Sequence, residues 1–292
     1  LSVFRIPGRP TQAPECLLSA KSCRRKRVSV KWGPWGLTPL SRCGVETRMI
    51  RKLFTAVVVL AAVGFGCAAY AYLTLPDVRP LRTANPPTTA FIELRQREAE
   101  SAGKKPRRVQ TWVPYERISS HLKRAVLVTE DAAFFQHEGI DFDELEKSFE
   151  LNWKKGQFLR GGSTITQQLA KNLYLSPSKD PARKFREFLI ARRIEAELTK
   201  RRIFEIYLNV IEWGDGIYGA EAAARQYYNV PAAALGPEQA AMLASMIFNP
   251  RKYNPALPTP FLQKRQQLIL TRMGAIQPPP ADRPGPPPVP KI

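Results

Sequence analysis

The chain has 292 residues, with 45 Lys and Arg against 25 Asp and Glu, for a formal net charge of +20. Apolar residues at 44% and charged residues at 24% are globular proportions, which exclude a wholly disordered chain and a polytopic membrane protein. The excess of positive charge calls for an anionic partner, whether nucleic acid, an acidic membrane surface or a phosphorylated substrate.

The first 48 residues carry ten basic side chains against two acids, hold three of the four cysteines and are broken by five prolines. No helical or strand period runs through them, so residues 1 to 48 read as a basic disordered leader. Met49-Ile50-Arg51-Lys52 ahead of an apolar run looks like a protein start. On that reading the leader is upstream sequence translated from a misassigned start codon. Cys16, Cys23 and Cys43 lack the close spacing of a zinc site, and no cysteine follows residue 67. The folded part therefore uses neither disulfides nor thiol chemistry.

Residues 53 to 75 contain no charge. As a helix they extend about 34 Å, enough to cross a ~30 Å hydrocarbon core. The run is longer than the apolar part of a signal peptide, and Tyr70, Tyr72 and Pro76 suit an interfacial anchor better than a cleavage site. Residues 49 to 75 are read as a transmembrane anchor. Arg48, Arg51 and Lys52 place its N-terminus in the cytoplasm, with residues 76 to 292 outside. That outer part has 33 basic and 23 acidic residues. A basic, cysteine-free domain on the outer face argues against nucleic acid and for an anionic lipid or a lipid-linked phosphate.

Residues 76 to 111 form a Pro-rich and charge-rich linker with one helix expected over residues 89 to 101. From Ile118 onward helical patterns succeed one another, separated by Gly and Pro turns and without β-branched alternation. This predicts one all-α domain over residues 112 to 272, then a Pro-rich tail over 273 to 292.

Four constellations could carry chemistry. Glu130-Asp131 falls near the end of a helix capped by Ser119 or Ser120, where the helix dipole raises a carboxylate pKa and suits a general base; a solvated acidic helix end is the plainer reading. Gly161-Gly162-Ser163-Thr164 leads into a helix, with Thr164 and Gln167 at capping-box spacing. Ser163, Gln167 and Lys171, four apart, would form one polar line beside a helix N-terminus, a natural phosphate site. Glu187 falls among Ile190, Ala191, Ile194 and Leu198 on a helical wheel, so it points inward, either paired with a base such as Arg183 or held for function. Tyr207-Leu208-Asn209 through Trp213-Gly214, with the small residues that follow, reads as scaffold.

These blocks, in this order, resemble the peptidoglycan glycosyltransferase family over about residues 112 to 257. The resemblance rests on Glu130, Asp131, Phe134, His137 and Gly139; on Gly161, Ser163, Thr164, Gln167 and Gln168; on Arg183, Lys184 and Glu187; and on Tyr207, Leu208, Asn209, Trp213 and Gly214. It implies a lysozyme-like, mostly helical fold, a single inner-membrane span with the catalytic domain periplasmic, and polymerisation of the lipid-linked disaccharide-peptide lipid II into a glycan strand. It further implies that Glu130 is the general base, that Glu187 is a second essential glutamate, and that undecaprenyl diphosphate leaves with inversion at the donor carbon. By the same matching, Lys171, Lys179 and Arg183 surround the diphosphate with Ser163 and Gln167 beside them, and Asp131, Phe134 and His137 join the substrate-binding set. Other cell-wall synthesis or division proteins are further partners on this reading, and a divalent cation such as magnesium stays open. The rival is a glycan-cleaving lysozyme-like or lytic transglycosylase, which needs no diphosphate site. Two S-x-x-K matches, at Ser120 and Ser176, lack the K-T-G and S-D-N companions of an acyl-transferring penicillin-binding enzyme.

Overall fold

The computed structural model describes residues 43–155, 162–176 and 180–274. The chain divides into two units, Leu1–Val59 and Leu60–Ile292. The described part of the first is the N-terminal portion of helix α1 (Cys43–Leu73). Within α1, Arg48–Leu73 has a mean hydropathy of 2.2 and no buried residue in its most apolar window, so it is long and apolar enough to cross a membrane.

The second unit is mostly helical, as expected. After a 3-10 turn at Arg79–Arg82 come α2 (Ala90–Ser101), α3 (Ser120–Glu130), α4 (Phe142–Lys155), α5 (Ile165–Tyr174), α6 (Pro181–Glu197), α7 (Lys200–Val210), α8 (Ala220–Tyr228), α9 (Pro237–Met246) and α10 (Pro260–Met273). The starts follow local chemistry. Thr89, Ser119, Thr164, Asp180, Thr199 and Thr259 each accept a backbone N–H of the first turn through their side chains, and Pro181, Pro237 and Pro260 sit at the first helical position. The core is continuous through α3, α5, α6, α7, α8, α9 and α10, with Trp213, Tyr207, Phe134 and Phe204 its largest buried side chains apart from Tyr218.

Two expectations give way. A small sheet of order β1-β3-β2 interrupts the helices: β1 (Val109–Gln110) runs parallel to β3 (Ile217–Tyr218), and β2 (Glu212–Gly214) runs antiparallel to it. Strands of two or three residues are too short to show a period of two. The expected linker over 76 to 111 is part of the body. Leu75, Val78 and Leu81 join the core and Ile92 of α2 is fully buried. Arg186 of α6 donates to the Thr74 carbonyl and Arg202 of α7 to those of Leu81 and Ala84, while Arg82 of the segment donates back to the Glu197 carbonyl at the end of α6. Arg202 also lies over the Trp112 ring at 5.5 Å.

Asn209, fully buried at the end of α7, exchanges hydrogen bonds with the backbone of Val113 and accepts Gln110 Nε2 on its own carbonyl. The Tyr-Leu-Asn block is scaffold in that sense, since it fixes the strand that leads into α3.

Candidate active site

Helix α3 ends at Glu130, and the chain turns through Asp131 toward the buried Gly139-Ile140. Gly139 has φ +84°, and a Cβ there would lie 2.8 Å from Glu195 Cγ, so the loop closes against α6 only with glycine. Thr164 Oγ1 donates to the Gly139 carbonyl at 2.6 Å, which brings the start of α5 beside the end of α3.

Two further bonds complete this junction. Asp131 Oδ2 accepts the Ile165 N–H at 2.9 Å, a carboxylate at a helix N-terminus where the dipole favours it. Gln168 Nε2 donates to Glu130 Oε2 at 2.8 Å, while Gln168 Oε1 accepts the fully buried Tyr207 hydroxyl at 2.8 Å. The amide of Gln168 is thereby locked in one orientation, with its donor on the glutamate. Burial pushes the Glu130 carboxyl above the usual range, opposed by the Gln168 bond and by the charges of Arg265 and Lys171. Desolvation, rather than the helix dipole, is the leading cause.

Glu130 opens on a cleft of about 610 Å³. Its walls come from the α3 end and following loop, the cleft face of α4 (Asp143, Glu144, Lys147), the α5 entry (Gly162, Ser163, Thr164) and Arg272 of α10.

On the α5–α6 side stands a cationic group. Glu187 is 3% exposed and accepts Arg183 Nη1 at 2.7 Å and the Lys184 ammonium. Lys184 also donates to Ser163 Oγ at 3.1 Å. Lys171 lies within the field of this group and of Glu130. Burial lowers its pKa, Glu187 and Glu130 raise it, and Lys184 and Arg183 lower it again. A partly buried lysine among cations is well placed to receive an anion, which would favour its charged form.

The expected site residues thus separate. Glu130, Lys171, Ser163, Arg183 and Glu187 come together around the cleft and its α5–α6 border, and Lys179 lies outside the described residues. The polar line does not form as drawn: α5 begins at Ile165, so Ser163 precedes the helix, and Gln167 closes the capping box by accepting the Thr164 N–H. Three further expected residues are placed by their packing. Phe134 has no exposed surface; it packs edge-on to Phe135 at 4.8 Å and against Phe204 at 5.6 Å, under the Lys200 ammonium at 4.4 Å, so it is core. Asp131 is committed to Ile165 and to His137 Nε2, at 2.9 and 3.1 Å. His137, nine-tenths buried, pairs with Asp131 across the same turn and lines a second cavity of about 310 Å³. Sequence reasoning missed Gln168, Tyr207, Lys184 and Arg265 as neighbours of the two glutamates. The Gln-Gln doublet and the Arg-Lys pair were visible signals for Gln168 and Lys184, whereas Arg265 had none.

Asp131, His137 and Asp141 place ligand atoms within 4.8 Å of one another, the donor set to test for a divalent cation. Part of this set is already engaged. Asp131 already serves a helix N-terminus, Asp141 accepts the Glu144 N–H, and buried His137 Nδ1 has no acceptor for the proton a metal-bound imidazole would carry there.

A family model described as Transglycosylase matches residues 97–274. Proteins named biosynthetic peptidoglycan transglycosylase are similar to the chain: that of Dechloromonas aromatica (strain RCB) is 53% identical over 191 residues, 65% of this chain and 83% of the relative. That of Nitrosospira multiformis is 50% identical over the same shares, and that of Methylobacillus flagellatus is 46% identical over 77% of this chain and 97% of its own length. The match takes in α3, α4, α5 and α10, which wall the cleft, and α6, which carries Glu187, and with it the chain belongs to the transglycosylase family.

Proposed function

We propose that this chain is a peptidoglycan glycosyltransferase that joins lipid II units into glycan strands. The observation that carries the reading is a desolvated glutamate beside a group of three cations, Lys171, Arg183 and Lys184, organised around a second, buried glutamate. In the reaction Glu130 takes the proton of the acceptor 4-hydroxyl as that oxygen attacks the donor anomeric carbon, and the carbon–oxygen bond to the diphosphate breaks with inversion. The electron pair leaves on the diphosphate, where the cations are already in place. Glu187 acts as a positioning residue that orients Arg183 and Lys184, and Ser163 holds Lys184 from the other side. Lys179, between α5 and α6 in sequence, would add to this group. No step is routed through a divalent cation such as magnesium at the Asp131 trio.

A glycan-cleaving enzyme would need the glutamate but not the cations. Incubating the full chain in detergent with lipid II separates the two: polymer is expected, and its loss in a Glu130→Gln variant that stays folded. Glycan shortening without polymer would overturn the proposal.

The membrane side of the proposal rests on α1 and α4. Basic Arg48, Arg51 and Lys52 flank the apolar run of α1 and favour a cytoplasmic N-terminus and a periplasmic catalytic body. On α4, Phe142, Leu145, Phe149 and Trp153 form one exposed stripe, Trp153 at 78% exposure, while Asp143, Glu144 and Lys147 face the cleft from the opposite side of the helix. A helix with one face for lipid and the other for the cleft suits a substrate whose reactive headgroup is tied to a lipid tail.

A further inference from the structure

We infer that an exposed aromatic and cationic face, made by Phe248, Tyr253, Phe261 and Arg265, binds the sugar rings of the acceptor substrate next to Glu130. This rests on the polymerising function proposed above and assigns the acceptor saccharide to a surface.

The three rings form one cluster, with centroids 5.1 Å apart for Phe248 and Tyr253 and 5.8 Å for each of the other two pairs. Phe248 and Phe261 keep 48% and 50% of their surface exposed, so the cluster is not a core in its own right. Arg265 lies over Phe248 at 4.6 Å and is fixed by donating Nε to the Ser245 carbonyl, and Lys252 lies over Tyr253 at 5.4 Å. Hydrocarbon tails would be poorly served by a face on which cations lie over two of the three rings and Phe261 alone is left open. A pyranose ring presents a C–H face that stacks on an aromatic ring and hydroxyl, amide and peptide carboxylate groups that reach neighbouring cations.

Position supports the same occupant. Phe261, Arg265, Leu268 and Arg272 repeat at helical spacing along one side of α10, and Arg272 lines the Glu130 cleft. The stripe therefore runs from the cluster to the cleft, and α10 packs directly on α3, the helix that ends in Glu130. The charge of Arg265 reaches the Glu130 carboxyl. The diphosphate cations belong to α5 and α6, whereas the helices packed on α3 are α9 and α10. A donor held by its diphosphate at α5–α6 leaves the α10 side for the incoming acceptor.

The test uses the full chain in detergent and, as probe, the lipid-free N-acetylated disaccharide-peptide, followed by saturation-transfer NMR and by titration. Phe261→Ala and Phe248→Ala are each expected to weaken binding about fivefold, the scale of one lost aromatic contact, and to raise KM for lipid II more than they lower kcat. Phe261→Trp should restore binding, which a merely structural role would not require. Unchanged affinity and KM in both alanine variants would overturn the inference. So would a loss confined to uncrosslinked glycan strands, which would place the growing strand there, or a weakening that tracks a fallen melting temperature without rescue by Trp. Because the probe reports binding without turnover, a wild-type protein that binds it yet makes no polymer would sink the proposed function and leave this surface standing.

Discussion

The carboxyl of Glu130 is pulled in two directions: burial favours its protonated form, and the Gln168 amide favours its ionised form. Removing the amide leaves the first effect unopposed by it. In Gln168→Ala the acid limb of kcat/KM is expected to move to higher pH than in the native chain, because the base stays protonated over a wider range. Tyr207→Phe should shift the limb in the same direction, since without the hydroxyl the Gln168 amide is free to turn its oxygen toward the carboxylate. A pH–rate profile reads both, and coincident limbs in all three proteins would refute the orienting role. Stability follows the opposite sign. A carboxyl with a raised folded pKa contributes stability below its unfolded pKa and loses it as pH rises through the folded value, so ionised Glu130 weakens the fold near neutrality. Glu130→Gln should therefore melt at a higher temperature than the native chain at pH 7, with the gap closing at low pH. A base held in a desolvated place is a site where activity and stability are set against each other.

At the scale of elements, the caps at Ser119 and Thr164 marked the starts of α3 and α5 in the sequence, because one side chain and one backbone N–H decide them locally. What was not legible depended on distant partners. Nothing in Pro76 to Pro87 announces that Leu81 will lie under α7 or that Arg202 will hold its carbonyl. The same limit separated Glu130, whose place at a helix end is a local fact, from Phe134, whose burial depends on Phe204 seventy residues later. Gln167 and Gln168 are neighbours in sequence; the first caps α5, as its spacing from Thr164 foretells, and the second reaches Glu130, which depends on how α3 and α5 meet. The packed segment gives a direct measurement. If residues 76 to 88 were a free linker, Leu81→Ala would be neutral in denaturant unfolding. Buried at 6% exposure in the shared core, it should cost about 2–5 kcal/mol, as large-to-small changes in cores do. Thr164→Ala, which removes both the α5 cap and the bond to the Gly139 carbonyl, should cost about 0.5–2 kcal/mol.

For the molecule as a whole, the charge of +20 resolves into parts with different tasks, and the cations near the two glutamates are a small share of it. The larger constraint is that a lipid-linked substrate must reach a base at the end of α3 without its tail leaving the bilayer. Helix α4 meets that requirement if its stripe of Phe142, Leu145, Phe149 and Trp153 enters the headgroup boundary, for the cleft lies on the helix's other side. Reconstituting the full chain in vesicles that contain bromine-labelled acyl chains makes this measurable, since bromine quenches tryptophan on contact. Trp213 has no exposed surface and Trp112 is packed against the core, whereas Trp153 stands out at 78% exposure. The quenchable fraction of fluorescence should fall when Trp153 is replaced by Phe. Phe149→Asp should lower the quenching of Trp153 and slow polymerisation of membrane-embedded lipid II, with less effect on a short-chain substrate presented in detergent. Equal quenching in the native chain and Trp153→Phe would show that α4 stays in water and that the substrate reaches Glu130 by another route.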